Sequence, residues 1–223
     1  IANGRILYLL KRKQGAEQYN FQTLIINRGI TLHMPLRSPH LFIISAPSGA
    51  GKTTLCREVH RQFPQMLYSV SYTSRKPRKG EQDGIDYHFI AAGEFKRGID
   101  VGCWAEWALV HGNYYGTSAD FLDEGLRAGK DILLDLDVQG TRQMLERYTE
   151  CVAIFIRPPS LEALRQRLDR RGTDGAETIA VRLGNAEKEM AQQDIYHHVI
   201  VNDQFAAALK ELISVIEDYG MPR

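Results

Sequence analysis

The chain is predicted to adopt an α/β fold, a parallel sheet flanked by helices, and three observations predict it. Short continuous apolar runs recur at residues 41–45, 132–136, 152–156 and 199–201. Such runs suit strands buried on both faces of a parallel sheet. Between them lie segments whose apolar residues repeat at helical spacing, an alternation that argues for a doubly wound arrangement. The first run also leads directly into Ala46-Pro47-Ser48-Gly49-Ala50-Gly51-Lys52-Thr53, followed by the helix-compatible residues 54–59. Strand, glycine-rich turn and helix in that order form the context a phosphate-binding loop requires.

Residues 1–33 resemble nothing downstream. They carry five Lys/Arg (Arg5, Lys11, Arg12, Lys13, Arg28) against a single acid, Glu17, in a chain whose overall charge is +1. Met34 precedes a linker containing Pro35 and Pro39. The functional protein is therefore expected to begin at Met34, with 1–33 an extension of uncertain origin, poorly ordered.

In the loop, Gly49 and Gly51 allow consecutive backbone N–H groups to curl around a phosphate, and the helix that follows adds the positive end of its dipole. Ala46 stands where the usual pattern opens with glycine. Residues 46–54 are the expected contacts to a nucleotide's phosphates, Ala46, Pro47, Ser48, Gly49, Ala50, Gly51, Lys52, Thr53 and Thr54. Lys52 would reach the terminal phosphates and the Thr53 hydroxyl would ligate Mg2+. Leu55, Val59 and Phe63 then mark the buried face of the helix.

Residues 68–116 break the α/β rhythm. They are rich in Tyr, Gly and Ser, with β-type runs such as Tyr87-His88-Phe89-Ile90, and read as an inserted, partly β subdomain. Arg75 and Arg78 flank Pro77 there, so that two guanidinium forks could converge on one anion, although a solvated basic loop would look the same. Gly112-Asn113-Tyr114-Tyr115-Gly116-Thr117 offers phenol hydroxyls on a tight turn, or simply a tyrosine-rich hairpin.

Asp135 and Asp137 lie at the carboxyl end of the second apolar run, where open α/β sheets bind ligands; both could alternatively cap a helix. Ser160, after Pro158-Pro159, and Asp203 are expected N-caps. Arg165, Arg167, Arg170, Arg171 and Arg182 form either a solvated basic face or an arginine-bearing lid over a triphosphate. Two helical faces follow, Ile179/Leu183/Ala186/Met190 and Phe205/Leu209/Leu212/Ile213/Ile216.

Together these motifs, in this order and spacing, resemble the guanylate kinase family from about Leu41 to Phe205. The resemblance rests on residues 45–54, Ser71 with Arg75 and Arg78, Gly80-Glu81 with Tyr87, Glu106, residues 112–117 and 134–140, Arg167 with Arg171-Gly172, Arg182, and Val201-Asn202-Asp203. It implies a P-loop core (40–67, 117–157 and 183–223), a GMP-binding subdomain (68–116) and a helical lid (158–182) within a domain spanning 34–223. By resemblance Arg75, Arg78, Tyr87 and Tyr115 would hold the GMP phosphate, and Ser71, Glu106, Thr117 and Asp135 would read guanine. Arg167, Arg171 and Arg182 would join Lys52 in catalysis, Asn202 would lie near adenine, and Asp137 would support the metal. The implied reaction is ATP-dependent phosphorylation of GMP and dGMP with Mg2+.

At 223 residues, 43% hydrophobic and 25% charged, the chain has the composition of a soluble globular protein. Near-zero net charge argues against a nucleic-acid partner. No run approaches the ~18 apolar residues of a membrane span, and the apolar run at residues 6–10 precedes its basic cluster, contrary to a signal peptide. Cys56, Cys103 and Cys151 are widely spaced and read as reduced core thiols of a cytoplasmic protein. Two competing readings remain. A P-loop kinase for a phosphorylated sugar would lack the set Ser71, Glu106 and Thr117. A non-catalytic guanylate-kinase-like domain that binds phosphopeptides would have a degenerate loop.

Overall fold

The structure is a computed structural model, describing residues 21–26, 30–35, 38–110, 112–172 and 174–220. The chain divides into two units, Ile1–Ser38 and Pro39–Arg223. In the first, β1 (Phe21–Ile26) and β2 (Ile30–Pro35) form an antiparallel hairpin, in register from Phe21 opposite Pro35 to Ile26 opposite Ile30. Met34 therefore lies inside a strand. The remainder of residues 1–33, with the apolar run at 6–10, lies outside the described residues.

The second unit is built on a five-stranded parallel sheet. Its strands are β3 (Leu41–Ser45), β4 (Leu67–Ser69), β9 (Ile132–Asp135), β10 (Cys151–Arg157) and β11 (His198–Val201), in the order β11-β10-β3-β9-β4. β3 is central and every one of its residues is buried. Side chains alternate across a strand, so this run feeds two cores. Phe42 and Ile44 pack with Leu55 and Val59 of α1 (Lys52–Gln62), with Phe63 just past its end, and with Leu212 and Ile216 of α7 (Phe205–Asp218). Leu41 and Ile43 pack on the opposite face with Leu122 of α3 (Ala119–Arg127) and Met144 of α4 (Val138–Arg147). Each fully buried Leu, Ile or Phe contributes roughly 1.5–3 kcal/mol, and it is this two-sided demand that makes the run continuously apolar.

β11 departs from the expectation of a strand buried on both faces. It is the sheet's edge, and Val199 and Val201 are 38% and 47% exposed while Ile200 is buried.

The inserted subdomain is a four-stranded sheet ordered β6-β5-β8-β7, made of β5 (Tyr72–Thr73), β6 (His88–Phe89), β7 (Trp104–Val110) and β8 (Asn113–Ser118), with α2 (Ala92–Asp100) on it. Phe95 of α2 stacks between Trp104 and Tyr114, at 4.3 and 5.2 Å between ring centroids. β4, which begins the expected 68–116 segment, pairs with β9 in the parallel sheet, and β8 runs on to Ser118. The lid region holds α5 (Leu161–Arg171) and α6 (Ala176–Met190), joined through Leu164, Leu168, Ile179 and Ala186. α6 is continuous across position 182, where the expected lid ended.

Ser160 caps α5, its hydroxyl accepting from the Ala163 N–H at 3.0 Å. Asp203 is not a cap: α7 begins after Gln204, whose side chain makes no capping bond. Cys56 and Cys151 are buried, but Cys103 is exposed, contrary to the expectation of three core thiols. No helix among the described residues is long and apolar enough to cross a membrane.

Candidate active site

The loop between β3 and α1 turns through two left-handed glycines, Gly49 (φ +96°) and Gly51 (φ +98°). Space as well as backbone demands glycine at 51, because a Cβ there would sit 2.6 Å from the Asn202 side-chain nitrogen. Asn202 is 5% exposed and donates from Nδ2 to the Ala50 carbonyl at 2.7 Å, bracing the loop from beneath. Ala46 fits as alanine because it is buried in the core with Phe42 and Ile44.

Lys52 opens α1 and points back across the sheet. Its Nζ donates to the Leu136 carbonyl at 3.1 Å and forms an ion pair with Asp135. Burial alone would lower the pKa of this ammonium, but the Asp135 charge and hydrogen bond outweigh it and hold Lys52 above its ordinary value.

A cavity of about 300 Å3 opens on the inserted-subdomain side. Lys52, Asp135 and Asp137 line it together with Arg75, Arg78 and Glu106. Arg75 is held in a two-pronged pair with Glu81, both contacts 2.9 Å, and its Nε donates to the Tyr115 hydroxyl at 3.2 Å. Its guanidinium lies 5.4 Å from the centroid of the Tyr87 ring. Glu81 also accepts from the Arg78 backbone N–H at 2.7 Å, which fixes the loop carrying both arginines.

Glu106 is 6% exposed. A register shift between Trp104 and Glu106 lets β7 bring Glu106 opposite Thr117 of β8. The Thr117 hydroxyl donates to Glu106 Oε1 at 2.7 Å. Burial, partly offset by that bond and reinforced by the Asp137 charge, pushes the Glu106 carboxyl up to about 7.

A second cavity of about 350 Å3 follows the loop and is shared by Lys52, Thr53, Asp137, Arg171 and Glu189. Lys52 and Asp137 thus border both cavities, at the junction between them. A third, of about 280 Å3, is lined by Gly49, Gly51, Arg167, Arg171, Asn202 and Phe205. Arg182 spans from α6 to the loop, donating to the Ser48 hydroxyl at 2.9 Å while pairing with Asp174 at 3.2 Å. Arg167 donates to the Asn202 carbonyl at 2.7 Å.

Of the residues the sequence assigned to the acceptor, Ser71, Arg75, Arg78, Tyr87, Glu106, Tyr115 and Asp135 converge on the first cavity. Thr117 does not line it; it is 1% exposed and lies beneath Glu106. Asp137 caps α4, its Oδ1 accepting from the Gly140 N–H at 2.8 Å, so the helix-capping alternative holds for this aspartate and not for Asp135. The sequence pattern gives no role to Glu81, which holds Arg75, or to Glu189, which lines the second cavity. Glu81 lies six positions past Arg75, and its pairing with that guanidinium was the one signal that could have been sought.

Among the described residues no group of three or more His, Cys, Asp or Glu could hold a metal by itself. The groups present, the exposed Thr53 hydroxyl and the second oxygen of Asp137, suit a hard cation that brings phosphate and water ligands with it.

The guanylate kinase family model matches residues 38–219. The guanylate kinase of Geobacter sulfurreducens is 54% identical over 176 residues, covering 79% of this chain and 87% of that protein. That of Bordetella pertussis is 46% identical over 185 residues, covering 83% and 86%. The crystal structure of guanylate kinase from Anaplasma phagocytophilum superposes with a TM-score of 0.67 at 30% identity, covering 83% of this chain and 88% of that one. With the loop, the arginine-bearing cavity and the matched span in agreement, the chain belongs to the guanylate kinase family.

Proposed function

We propose that the chain transfers the terminal phosphoryl group of ATP to GMP, and to dGMP, yielding the nucleoside diphosphate and ADP as a step of purine nucleotide metabolism. The observation that carries this reading is the placement of Lys52 at the junction of the loop cavity and the arginine- and Glu106-lined cavity. ATP is read as occupying the loop, with Asn202 near its adenine and Arg167, Arg171 and Arg182 closing over its transferring phosphates. The acceptor's phosphate meets Arg75, Arg78, Tyr87 and Tyr115, and its base meets Glu106, Ser71 and Asp135, with Thr117 steadying Glu106.

An oxygen of the acceptor phosphate attacks the γ-phosphorus in line, the bond to the β-bridging oxygen breaks, and ADP departs. The attacking oxygen is already an anion, so no strong base is required. Catalysis is positioning plus neutralisation of charge on the transferring oxygens. Thr53 and Asp137 would hold the Mg2+ that enters with ATP, and that ion would supply positive charge to the transferring phosphates. Lys52 adds its ammonium and the lid arginines add theirs.

A coupled assay of ADP formation across GMP, dGMP, AMP, UMP and a ribose bisphosphate tests the reading. Turnover confined to GMP and dGMP is expected; turnover of the sugar bisphosphate alone would replace this function with the sugar-kinase one, and no turnover with any acceptor would leave a binding domain.

Arg78 gives a sharper test of the acceptor side. Arg78→Lys keeps the charge but loses the planar fork. KM for GMP is expected to rise about tenfold, with kcat at saturating GMP little changed. An unchanged KM would move the phosphate site off this loop.

Residues 1–33 are proposed to take no part in catalysis, because every residue of the site and the whole family match lie beyond them. A protein starting at Met34 is expected to keep its kcat and its melting temperature; a large loss of either refutes this.

A further inference from the structure

β7 is an edge strand of the inserted sheet, yet α4 runs along it and grips it at several points. The Gln143 carboxamide takes both backbone bonds of Trp107, Oε1 accepting from the N–H at 3.1 Å and Nε2 donating to the carbonyl at 2.9 Å. One turn further on, Arg147 donates to the Trp104 carbonyl at 2.8 Å. Gly140, Gln143 and Arg147 share one helix face by their spacing. The bonds from Gln143 and Arg147 therefore hold the strand on either side of Glu106.

At Gly140 the helix faces the carboxylate itself. A Cβ there would lie 2.7 Å from Glu106 Oε2 and 3.2 Å from its carboxyl carbon. Gly140 is helical and is not among the glycines with positive φ, so the backbone does not call for glycine. Glycine is the poorest helix former after proline, and here it leaves the room that Oε2 occupies. Oε1 is engaged by Thr117, so Oε2 is the oxygen that a side chain at 140 would push. The Gly140 N–H also holds Asp137, which ties the position of that carboxylate to the same residue.

We propose that Gly140 and Gln143 are positioning residues that set the Glu106 carboxylate against the acceptor's base, so that base selectivity is specified on α4 as well as on β7. The proposal rests on the reading that Glu106 contacts the base. A carboxylate accepting two adjacent donors tolerates little displacement, and misplacement of about 1 Å can cost up to about 10²-fold.

The test is Gly140→Ala and Gln143→Met in the full chain, with Glu106→Gln measured alongside. For Gly140→Ala, KM for GMP should rise on the order of tenfold, the preference for GMP over AMP should fall in parallel, and Kd for ATP should stay within about twofold. Its melting temperature should change little, because alanine's preference for the helix offsets part of the cost of displacing the buried Glu106 carboxylate. Gln143→Met keeps the chain length but frees both Trp107 backbone groups, and should shift GMP kinetics in the same direction by less. Unchanged GMP kinetics and selectivity in both variants would overturn the proposal. So would a drop in melting temperature accompanied by equal losses for ATP and GMP, which marks a packing role. If Glu106→Gln alone loses base preference, only the positioning role fails; if Glu106→Gln keeps it, the reading of Glu106 itself fails.

Discussion

Lys52→Ala is expected to lower kcat on the order of 10²-fold or more while Kd for GMP changes little, by analogy with the loss of a single preorganised electrostatic donor. Nζ is paired with Asp135 and donates to the Leu136 carbonyl. Phosphates must compete with those partners, so the ammonium's interaction with a ground-state triphosphate is diluted. As the γ-phosphoryl group transfers, charge builds on oxygens at the cavity junction that Lys52 borders, and the interaction strengthens there. A group that binds the transition state more strongly than the ground state appears in kcat more than in KM. Lys52→Arg retains the charge on a longer, forked head and should recover only part of the rate. Near-normal turnover of Lys52→Ala in the coupled assay would make the loop purely structural.

The loop was legible in sequence because its determinants are contiguous: two glycines, a lysine and a threonine within residues 49–53, between a strand and a helix. Residues 41–45 were legible as a strand because both faces of β3 are covered. The same kind of apolar pattern overstated β11, since nothing in the run 199–201 says that one face lies at the sheet's edge. What stayed hidden depends on pairings between distant positions. Asn202 braces Ala50 from 152 positions away, and Gln143 pairs with Trp107 across 36. Neither asparagine nor glutamine carries a local pattern announcing such a partner. Asp135 and Asp137 looked equivalent two residues apart, and only the α4 start and the reach of Lys52 separated a helix cap from an ion pair. Glu106 sits between two tryptophans in a strand where simple alternation says nothing of a bulge, and the bulge delivers it to Thr117.

Glu106→Gln is expected to cut kcat/KM for GMP by a factor that can approach roughly 10⁴ and to leave ATP binding intact, because a site built to satisfy specific donors loses most when one acceptor is removed. Guanine offers N1–H and the exocyclic N2 amine side by side, and an ionised carboxylate supplies two acceptors to match. Glutamine supplies one acceptor and sets an N–H donor against a donor. Adenine has an acceptor at N1 and no N2 amine, so AMP gains where GMP loses. The environment of Glu106 adds a pH signature. Burial raises its carboxyl to about 7, so the folded protein holds this proton more tightly than the unfolded chain between about 4.5 and about 7. The contribution of this group to stability is therefore full below about 4.5 and is lost as pH rises through about 7. GMP acts in the opposite direction: its two donors favour the ionised form, so binding below about pH 7 releases a proton and KM for GMP rises as pH falls. Calorimetry of GMP binding in buffers of different ionisation enthalpy measures that proton directly. Near pH 6.5 the release should be larger in the native protein than in Glu106→Gln, where only the acceptor phosphate, with its second pKa of about 6, still releases a proton. A variant that keeps both the larger proton release and the full preference for GMP over AMP would show that another group, and not Glu106, reads the base.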